Sequence, residues 1–186
     1  MKMKHAFDDI IEKDEEIVEV FKPQKTRFWW GIVSSSLMIV VAVLLWSLIV
    51  VAGILVDYPE AAPIVALGFL AVIAFVLLLV AIFGKTAYNN RFYAYSNKRI
   101  LIRSGIIGID YRTLEFQALT ATIVRVSFLD RVLRTNTGTL MFGSPSSPVG
   151  MAPANNNVAA NSYSFRNIED PYNTLREIKE YMDSKK

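Results

Sequence analysis

The sequence contains no cysteine and only one histidine, His5. Without cysteine there is no disulfide framework, no thiolate metal site and no cysteine nucleophile, although this absence leaves the compartment open. His5 lies in a polar N-terminal segment, and no partner stands at metal-ligand spacing from it. We therefore expect neither a metal ion nor a cofactor.

Charge is absent from two long stretches, residues 28–56 and 61–83. Each is long enough to cross the hydrocarbon core, which takes about 20 residues. A core helix of a soluble bundle usually keeps a polar stripe, which these runs lack, and the acid-rich residues 1–27 argue against a signal peptide. The sequence predicts a transmembrane hairpin over residues 28–84, with spans at about 29–55 and 63–83. Because neither run contains an ionisable residue, we interpret the hairpin as an anchor rather than a transporter or voltage sensor.

The charges around the hairpin predict its orientation. The connection between the runs contains Asp57 and Glu60 but no Lys or Arg, whereas cations flank both outer ends. By the positive-inside rule, we expect two spans in the cell membrane with both termini in the cytoplasm. The flanking cations are Lys22, Lys25, Arg27, Lys85, Arg91, Lys98 and Arg99, and the aromatic residues expected at the membrane interface are Trp29, Trp30, Trp46 and Tyr58.

The remaining residues, 85–186, alternate between short β-like stretches and turn residues. The stretches "RFYAYS" and "RILIRSG" predict a hairpin joined at Asn97, and "IIGIDYRTLEF", "ATIVRVSF", "GTLMFG" and "SYSFRNI" predict further strands. Residues 144–161 are rich in Pro, Ser, Asn and Ala and are interpreted as a long loop. The segment "DPYNTLREIKEYMDSKK" predicts a C-terminal helix with Asp170 as N-cap and Pro171 at its first position. Its apolar face consists of Tyr172, Leu175, Ile178 and Met182. By itself this pattern indicates a small β domain with a terminal helix, preceded by a cytoplasmic segment at residues 1–27.

The stretches "YAYSNKRILIRSG" and "LEFQALTATIVRVSFLDRVLRTNTGTLMF" resemble the bacterial pleckstrin-homology-like (PH-like) membrane proteins, in which two spans precede the domain. The N-terminal "DEEIVEVFKPQKTRFWW" also looks like the segment before the first span in that family. Ser96 stands where threonine is usual, and the loop over residues 144–161 is longer than expected. The resemblance implies an α+β membrane protein with a split β-barrel of two nearly orthogonal sheets, capped by a C-terminal helix.

Residues suited to catalysis are not apparent. No nucleophile has a neighbouring base, and "GIIG" lacks the third glycine and the strand-to-helix context of a phosphate-binding loop. Asp130 and Arg131 are a candidate ion pair at a strand-to-turn corner, with Arg134 beside them, and the alternative is a solvated corner without functional meaning. We therefore do not expect an enzyme.

The hairpin cations Lys98, Arg99 and Arg103, with Arg112 on the next strand, suggest contact with anionic lipid. Alternation places Arg99, Leu101 and Arg103 on one face of a strand, and anionic lipid attracts each nearby cation by roughly 1 kcal/mol. Eukaryotic PH domains bind inositol phosphates with basic residues on the hairpin between their first two strands. Lys98, Arg99 and Arg103 lie in a similar position in this sequence. The alternative is that these charges only serve topology and solubility.

Protein binding is the other functional class that the sequence suggests. PH-like barrels accept peptides along an open sheet edge or in a groove beside the helix. We interpret the chain first as a membrane-tethered adaptor or scaffold for a protein partner or for a second copy of itself, and second as a sensor of anionic lipid headgroups. Nucleic-acid binding is not expected, since the aromatic residues look like core-facing strand residues.

Overall fold

The computed structural model describes residues 4–57, 60, 62–146 and 163–184. The chain opens with a short 3-10 helix, Lys4–Phe7. In chain order the helices are α1 (Lys25–Asp57), α2 (Ala62–Asn89), α3 (Phe128–Val132) and α4 (Pro171–Asp183). The strands are β1 (Ile17–Phe21), β2 (Phe92–Ser96), β3 (Arg99–Ser104), β4 (Asp110–Glu115), β5 (Ala121–Arg125), β6 (Thr137–Gly143) and β7 (Tyr163–Glu169).

The strands form two antiparallel sheets. The first has the order β1-β2-β3-β4 and the second the order β5-β6-β7. The two sheets are not closed into one hydrogen-bonded barrel. Together with the C-terminal helix and the two long apolar helices, they confirm the predicted α+β class. The pattern of "ATIVRVSF" predicts a strand over the whole stretch. In the structure, however, β5 ends at Arg125 and α3 begins at Phe128.

The N-terminal segment belongs to the same compact unit as the C-terminal strands. This unit comprises residues 1–28 and 87–186, and we call it the PH-like unit; residues 29–86 form a second unit. Strand β1 pairs antiparallel with β2, so that Phe21 lies opposite Tyr93. The helical hairpin is therefore an insertion between two hydrogen-bonded neighbours of one sheet.

The register of the first sheet defines two ends. At one end β1 finishes, β2 begins and Phe92 lies opposite Arg103 of β3. We call it the connection end, because the chain leaves here for α1 and returns here from α2. The opposite end, where the turn at Ser96–Arg99 joins β2 to β3, is called the remote end. A strand rises about 3.4 Å per residue, so the ends of β2 are about 14 Å apart.

Aromatic and aliphatic side chains from both sheets form the core of the PH-like unit. The ring of Phe165 stacks on Tyr93 with centroids 4.9 Å apart and meets the edge of Phe142 at 4.9 Å. Such pairs contribute roughly 0.5–1.5 kcal/mol beyond their area. The fully buried members of this core include Tyr93, Ile100, Leu140, Phe142, Phe165, Ile168 and Ile178.

Helix α4 closes this core. Asp170 caps it by accepting from the backbone N–H of Asn173, Pro171 follows, and Ile178 is buried. These features confirm the prediction for the helix terminus and its apolar face. Tyr172 is exposed, however, and the prediction that it shares this face is wrong. At 100° per residue, Tyr172 is about 120° around the helix from Ile178.

The second unit consists of most of α1 and α2. Both helices are long and apolar enough to cross a membrane, over Lys25–Gly53 and Pro63–Asn89. Their side chains are almost entirely unburied, unlike those of a soluble core helix. Within this unit the helices approach closely at Gly84, where an added Cβ would lie 3.1 Å from the Trp29 ring.

Candidate functional site

The outer face of β3 is covered by the N-terminal segment rather than by solvent. Leu101 projects onto this face and is fully buried against Phe7, Ala6 and Ala94. Ile100 and Ile102 project to the other face, into the main core. The predicted alternation is therefore correct, and the face that carries the two arginines is covered by residues 6–15.

Lys98 and Arg99 lie at the remote end and bond to acidic residues of the N-terminal segment. The Lys98 ammonium is 3.0 Å from a Glu12 carboxylate oxygen. The Arg99 guanidinium donates from Nε and Nη2 to the two oxygens of Glu15, at 3.0 and 2.7 Å. A third Arg99 hydrogen bond, from Nη2, reaches the carbonyl of Ile10 at 3.0 Å. Both cations thus have intramolecular partners.

Glu15 is the most buried acid of this network. Burial alone would raise the pKa of its carboxyl, but hydrogen bonds from Arg99 and Ser96 bring that pKa below its ordinary value of 4.5. The Ser96 hydroxyl donates at 2.6 Å. Because the folded state favours the charged form, this carboxylate is a structural group that fixes the β2–β3 turn.

Arg103 lies at the connection end, at the far end of β3 from Arg99. Its guanidinium donates to the carbonyl of Ala6 at 2.9 Å and lies 5.8 Å from the ring centroids of both Phe92 and Tyr111. Arg112 is exposed on β4, opposite Ile102. The structure thus joins Lys98 to Arg99 but separates that pair from Arg103.

The hairpin that carries Lys98 and Arg99 is the second one of its sheet. Strand β1 precedes the helices, so the turn joins β2 to β3 and the helical insertion occupies the β1–β2 connection. The predicted positional likeness to the first hairpin of eukaryotic PH domains is therefore wrong. Strand β1 lies before the two long helices, and no local pattern in the sequence indicates that it pairs with β2.

A cleft of about 530 Å³ opens at the remote end. Phe116, Tyr181 and Met182 supply apolar surface, and charges of both signs surround it. Its charged residues are Glu12, Lys98, Arg99 and Glu115, and its neutral polar residues are Asn97 and Gln117. A mixed cleft beside a terminal helix suits a peptide that carries an apolar side chain and charges of both signs.

A buried ion pair fixes the first turn of α1 to α3. Arg27 bonds to Asp130 through Nε, and its Nη2 donates to the Ser127 hydroxyl at 2.8 Å. Asp130 also accepts from Ser127 and from the Thr137 hydroxyl, at 2.6–2.8 Å. Burial would raise the pKa of Asp130, but the bonds from Ser127 and Arg27 hold that pKa below its ordinary value of 3.8. The predicted pairing of Asp130 with Arg131 at a solvated corner is wrong, because Asp130 points inward and Arg131 is exposed.

The sequence alone did not predict that Glu12 and Glu15 bond to the hairpin cations, or that Arg27 pairs with Asp130. One signal was available: the acid-rich stretch "DDIIEKDEE" and the cationic hairpin have opposite charge, and "EIVEVF" alternates like a strand. For Arg27 no local signal exists, since its partner is 103 positions away.

The expected interface aromatics differ in their surroundings. Trp30 and Trp46 are exposed, whereas Trp29 is half-buried. Tyr58 lies outside the described residues. Within the described part of the chain, no group of three or more His, Cys, Asp or Glu residues is placed to hold a metal ion.

The chain thus combines an α+β unit of two antiparallel sheets and a C-terminal helix with an insertion of two helices that are long and apolar enough to span a membrane. The family model for the bacterial PH domain matches residues 30–182, and the chain belongs to this family. This confirms the resemblance seen in the sequence. No curated protein and no solved structure gives a significant match. PH-like domains are generally non-catalytic binding modules.

Proposed function

We propose that the chain is a non-catalytic, membrane-anchored adaptor whose PH-like unit binds a protein partner in the cleft at the remote end. The proposal rests on the composition and position of this cleft. It combines apolar surface from Phe116, Tyr181 and Met182 with both signs of charge, and it lies at the end away from the chain connections to the helices. A partner in the cytoplasm would reach it without passing the membrane.

The same-side placement of both termini is supported by strand pairing. Because Phe21 lies opposite Tyr93, the chain leaves and re-enters the PH-like unit at neighbouring points. A pair of helices that spans the membrane twice then has both outer ends on one side. The cations near those ends, including Lys22 and Arg91, favour the cytoplasmic side.

The lipid-sensor alternative has less support. Lys98 and Arg99 bond to Glu12 and Glu15, so a lipid phosphate would have to displace intramolecular carboxylates. Both cations also lie at the remote end, about 14 Å along β2 from the connections to the helices. A headgroup reader would be better placed at the connection end.

Site-specific photocrosslinking tests the adaptor proposal. A photoreactive amino acid replaces the exposed Gln117, which lines the cleft, in the full chain in its native membrane. We expect one discrete protein adduct, mapped by mass spectrometry to one segment of the partner. Glu115→Lys reverses an exposed charge of the cleft and should remove this adduct.

The matched control places the same photoreactive group at Lys179, which is exposed on α4 and does not line the cleft. An equal adduct from position 179 would contradict the proposal. Lipid adducts at position 117, together with salt-sensitive binding of anionic vesicles that Lys98→Ala, Arg99→Ala and Arg103→Ala abolish, would instead establish the lipid sensor.

A further inference from the structure

Large apolar side chains are strongly exposed on the PH-like unit. Among its described residues, those more than 40% exposed are Ile106 (50%), Ile107 (94%), Ile109 (47%), Phe128 (77%), Val132 (58%) and Tyr172 (62%). Exposed apolar side chains mark an interaction surface when they cluster, whereas single ones are normal. Their shared position in the fold indicates what covers them.

The three isoleucines form the turn between β3 and β4, which lies at the connection end. In the register of the sheet, Phe92 pairs with Arg103, and Ser104 pairs with Asp110. The turn over residues 105–109 therefore projects beyond the sheet on the side where β2 begins. Strands are spaced about 4.8 Å apart, so the turn is within about 15 Å laterally of the chain connections.

Helix α3 and the start of α4 are tied to the same end. Asp130 of α3 bonds to Arg27, which precedes the second unit by two positions. The backbone N–H of Gln24 donates to the Asn167 carbonyl at 2.7 Å, which brings the end of β7 beside the start of α1. Phe128 and Val132 are four residues apart on α3, and residues at this spacing share a helix face.

The connections to the helices are short. Three residues separate β1 from α1, and two residues separate α2 from β2. At no more than about 3.6 Å per residue, they keep the connection end within about 15 Å of the start of α1 and the end of α2. Lys22 lies 4.5 Å from the Tyr88 ring centroid and 4.8 Å from that of Phe92. Cations and tyrosine rings are both enriched next to membrane spans.

We propose that the connection end rests in the headgroup layer of the bilayer that the helices cross, with Ile106, Ile107 and Ile109 inserted to the acyl boundary. This inference rests on the membrane anchoring in the proposed function and adds a second membrane contact, made by the PH-like unit itself. The bilayer is the occupant because the apolar turn lies at the same end of the first sheet as the chain segments that lead into the two apolar helices. Such insertion would fix the orientation of the cleft toward the cytoplasm.

Quenching of a fluorophore by nitroxide-labelled lipid tests the proposal. The chain contains no cysteine, so one introduced cysteine carries the single label. An environment-sensitive fluorophore is attached to Ile107→Cys in the full chain. The protein is reconstituted into vesicles of neutral and anionic phospholipid, and part of the lipid carries a nitroxide high on its acyl chain. Gln117→Cys, exposed at the remote end, is the matched control. We expect at least twofold stronger quenching at position 107 than at position 117, and Phe128→Cys should behave like Ile107→Cys.

Leu45→Cys, within α1, separates failure of the inference from failure of the anchor. Quenching at position 45 with equal quenching at positions 107 and 117 would overturn the inference and leave the anchor intact. No quenching at position 45 would overturn both. If the label at position 107 is shielded from aqueous iodide but is not quenched by lipid nitroxides, a protein surface or a second copy covers the turn, and the proposal is wrong.

Discussion

At the scale of single residues, the Arg27–Asp130 pair joins two distant parts of the chain inside the PH-like unit. Both side chains are buried, and Asp130 accepts from Ser127 and Thr137 as well as from Arg27. Two buried charges are stable here because each is hydrogen-bonded. Removal of one partner leaves the other buried and unpaired.

We therefore predict that Asp130→Ala lowers the free energy of unfolding of the PH-like unit by about 3–5 kcal/mol. Denaturant titration of the full chain in mild detergent, followed by near-UV circular dichroism, measures this. The control is Arg131→Ala, because Arg131 is adjacent but exposed, and its effect should stay within about 0.5 kcal/mol. Equal effects of the two changes would refute the role given to the buried pair.

Glu15 makes stability depend on pH. Its pKa in the folded chain lies below the ordinary value of 4.5, so the folded state favours the carboxylate. The stabilisation is complete at pH values above about 4.5 and is lost as the pH falls through the folded-state pKa. Asp130 acts in the same direction, below its ordinary value of 3.8.

Glu15→Gln should thus lower the unfolding free energy by about 1–3 kcal/mol at pH 7 and by less at pH 4. Thermal unfolding of the full chain at several pH values between 7 and 4 measures the difference. Glu16→Gln, at the exposed neighbouring position, is the control for removal of one carboxylate from the same segment. A gap between wild type and Glu15→Gln that stays constant over this range would contradict the linkage.

At the scale of elements, the β3–β4 turn depends on one of its two glycines. Gly105 has φ of +148°, and a Cβ at this position would lie 1.9 Å from the Gly108 carbonyl oxygen. Gly108 has open space around its Cα. In "GIIG", the structure therefore assigns the conformational requirement to the first glycine.

Gly105→Ala should accordingly destabilise the unit by at least about 2 kcal/mol, because the turn must change its path, whereas Gly108→Ala should cost less than about 1 kcal/mol. Chemical unfolding of the two variants in parallel measures both values. Comparable losses at the two positions would show that the close backbone approach does not limit the turn.

At the scale of the whole molecule, the helical hairpin interrupts a unit whose two parts depend on each other. Strand β1 forms an edge of the first sheet, and Phe7 is buried against Leu101 of β3. Residues 85–186, which the sequence suggested as the domain, lack these contacts. The Phe28 and Tyr88 ring centroids are only 5.2 Å apart, so a short linker spans the gap that deletion of the hairpin leaves.

We predict that residues 4–28 joined to residues 87–184 by about four glycine and serine residues fold cooperatively, because this chain retains both sheets and the covering segment. Residues 87–184 alone should show broad unfolding and bind hydrophobic dyes, because the loss of β1 exposes Leu101 and the edge of β2. Calorimetry and dye fluorescence compare the two chains. Cooperative unfolding of residues 87–184 alone would show that the N-terminal segment is dispensable.

The sequence by itself predicted the elements that local patterns specify. Two uncharged runs indicated the apolar helices, alternation in "KRILIRS" placed Ile100 and Ile102 on the core face, and Asp170–Pro171 marked the start of α4. Family motifs in the second half were strong enough to indicate the fold, and the family match confirms it. Each of these signals lies within one continuous stretch of at most about 30 residues, where hydrophobic runs, periodicity and capping chemistry can be recognised.

Only the tertiary structure decided which distant residues meet. It paired β1 with β2 across the inserted helices, placed Glu12 and Glu15 on the hairpin cations, and gave Asp130 to Arg27 rather than to its neighbour Arg131. It also gathered the exposed isoleucine turn and the chain connections at one end of the sheet. Such contacts depend on strand register and the packing of two sheets, and because many pairings satisfy the same local pattern, their choice is fixed only when the whole unit is assembled.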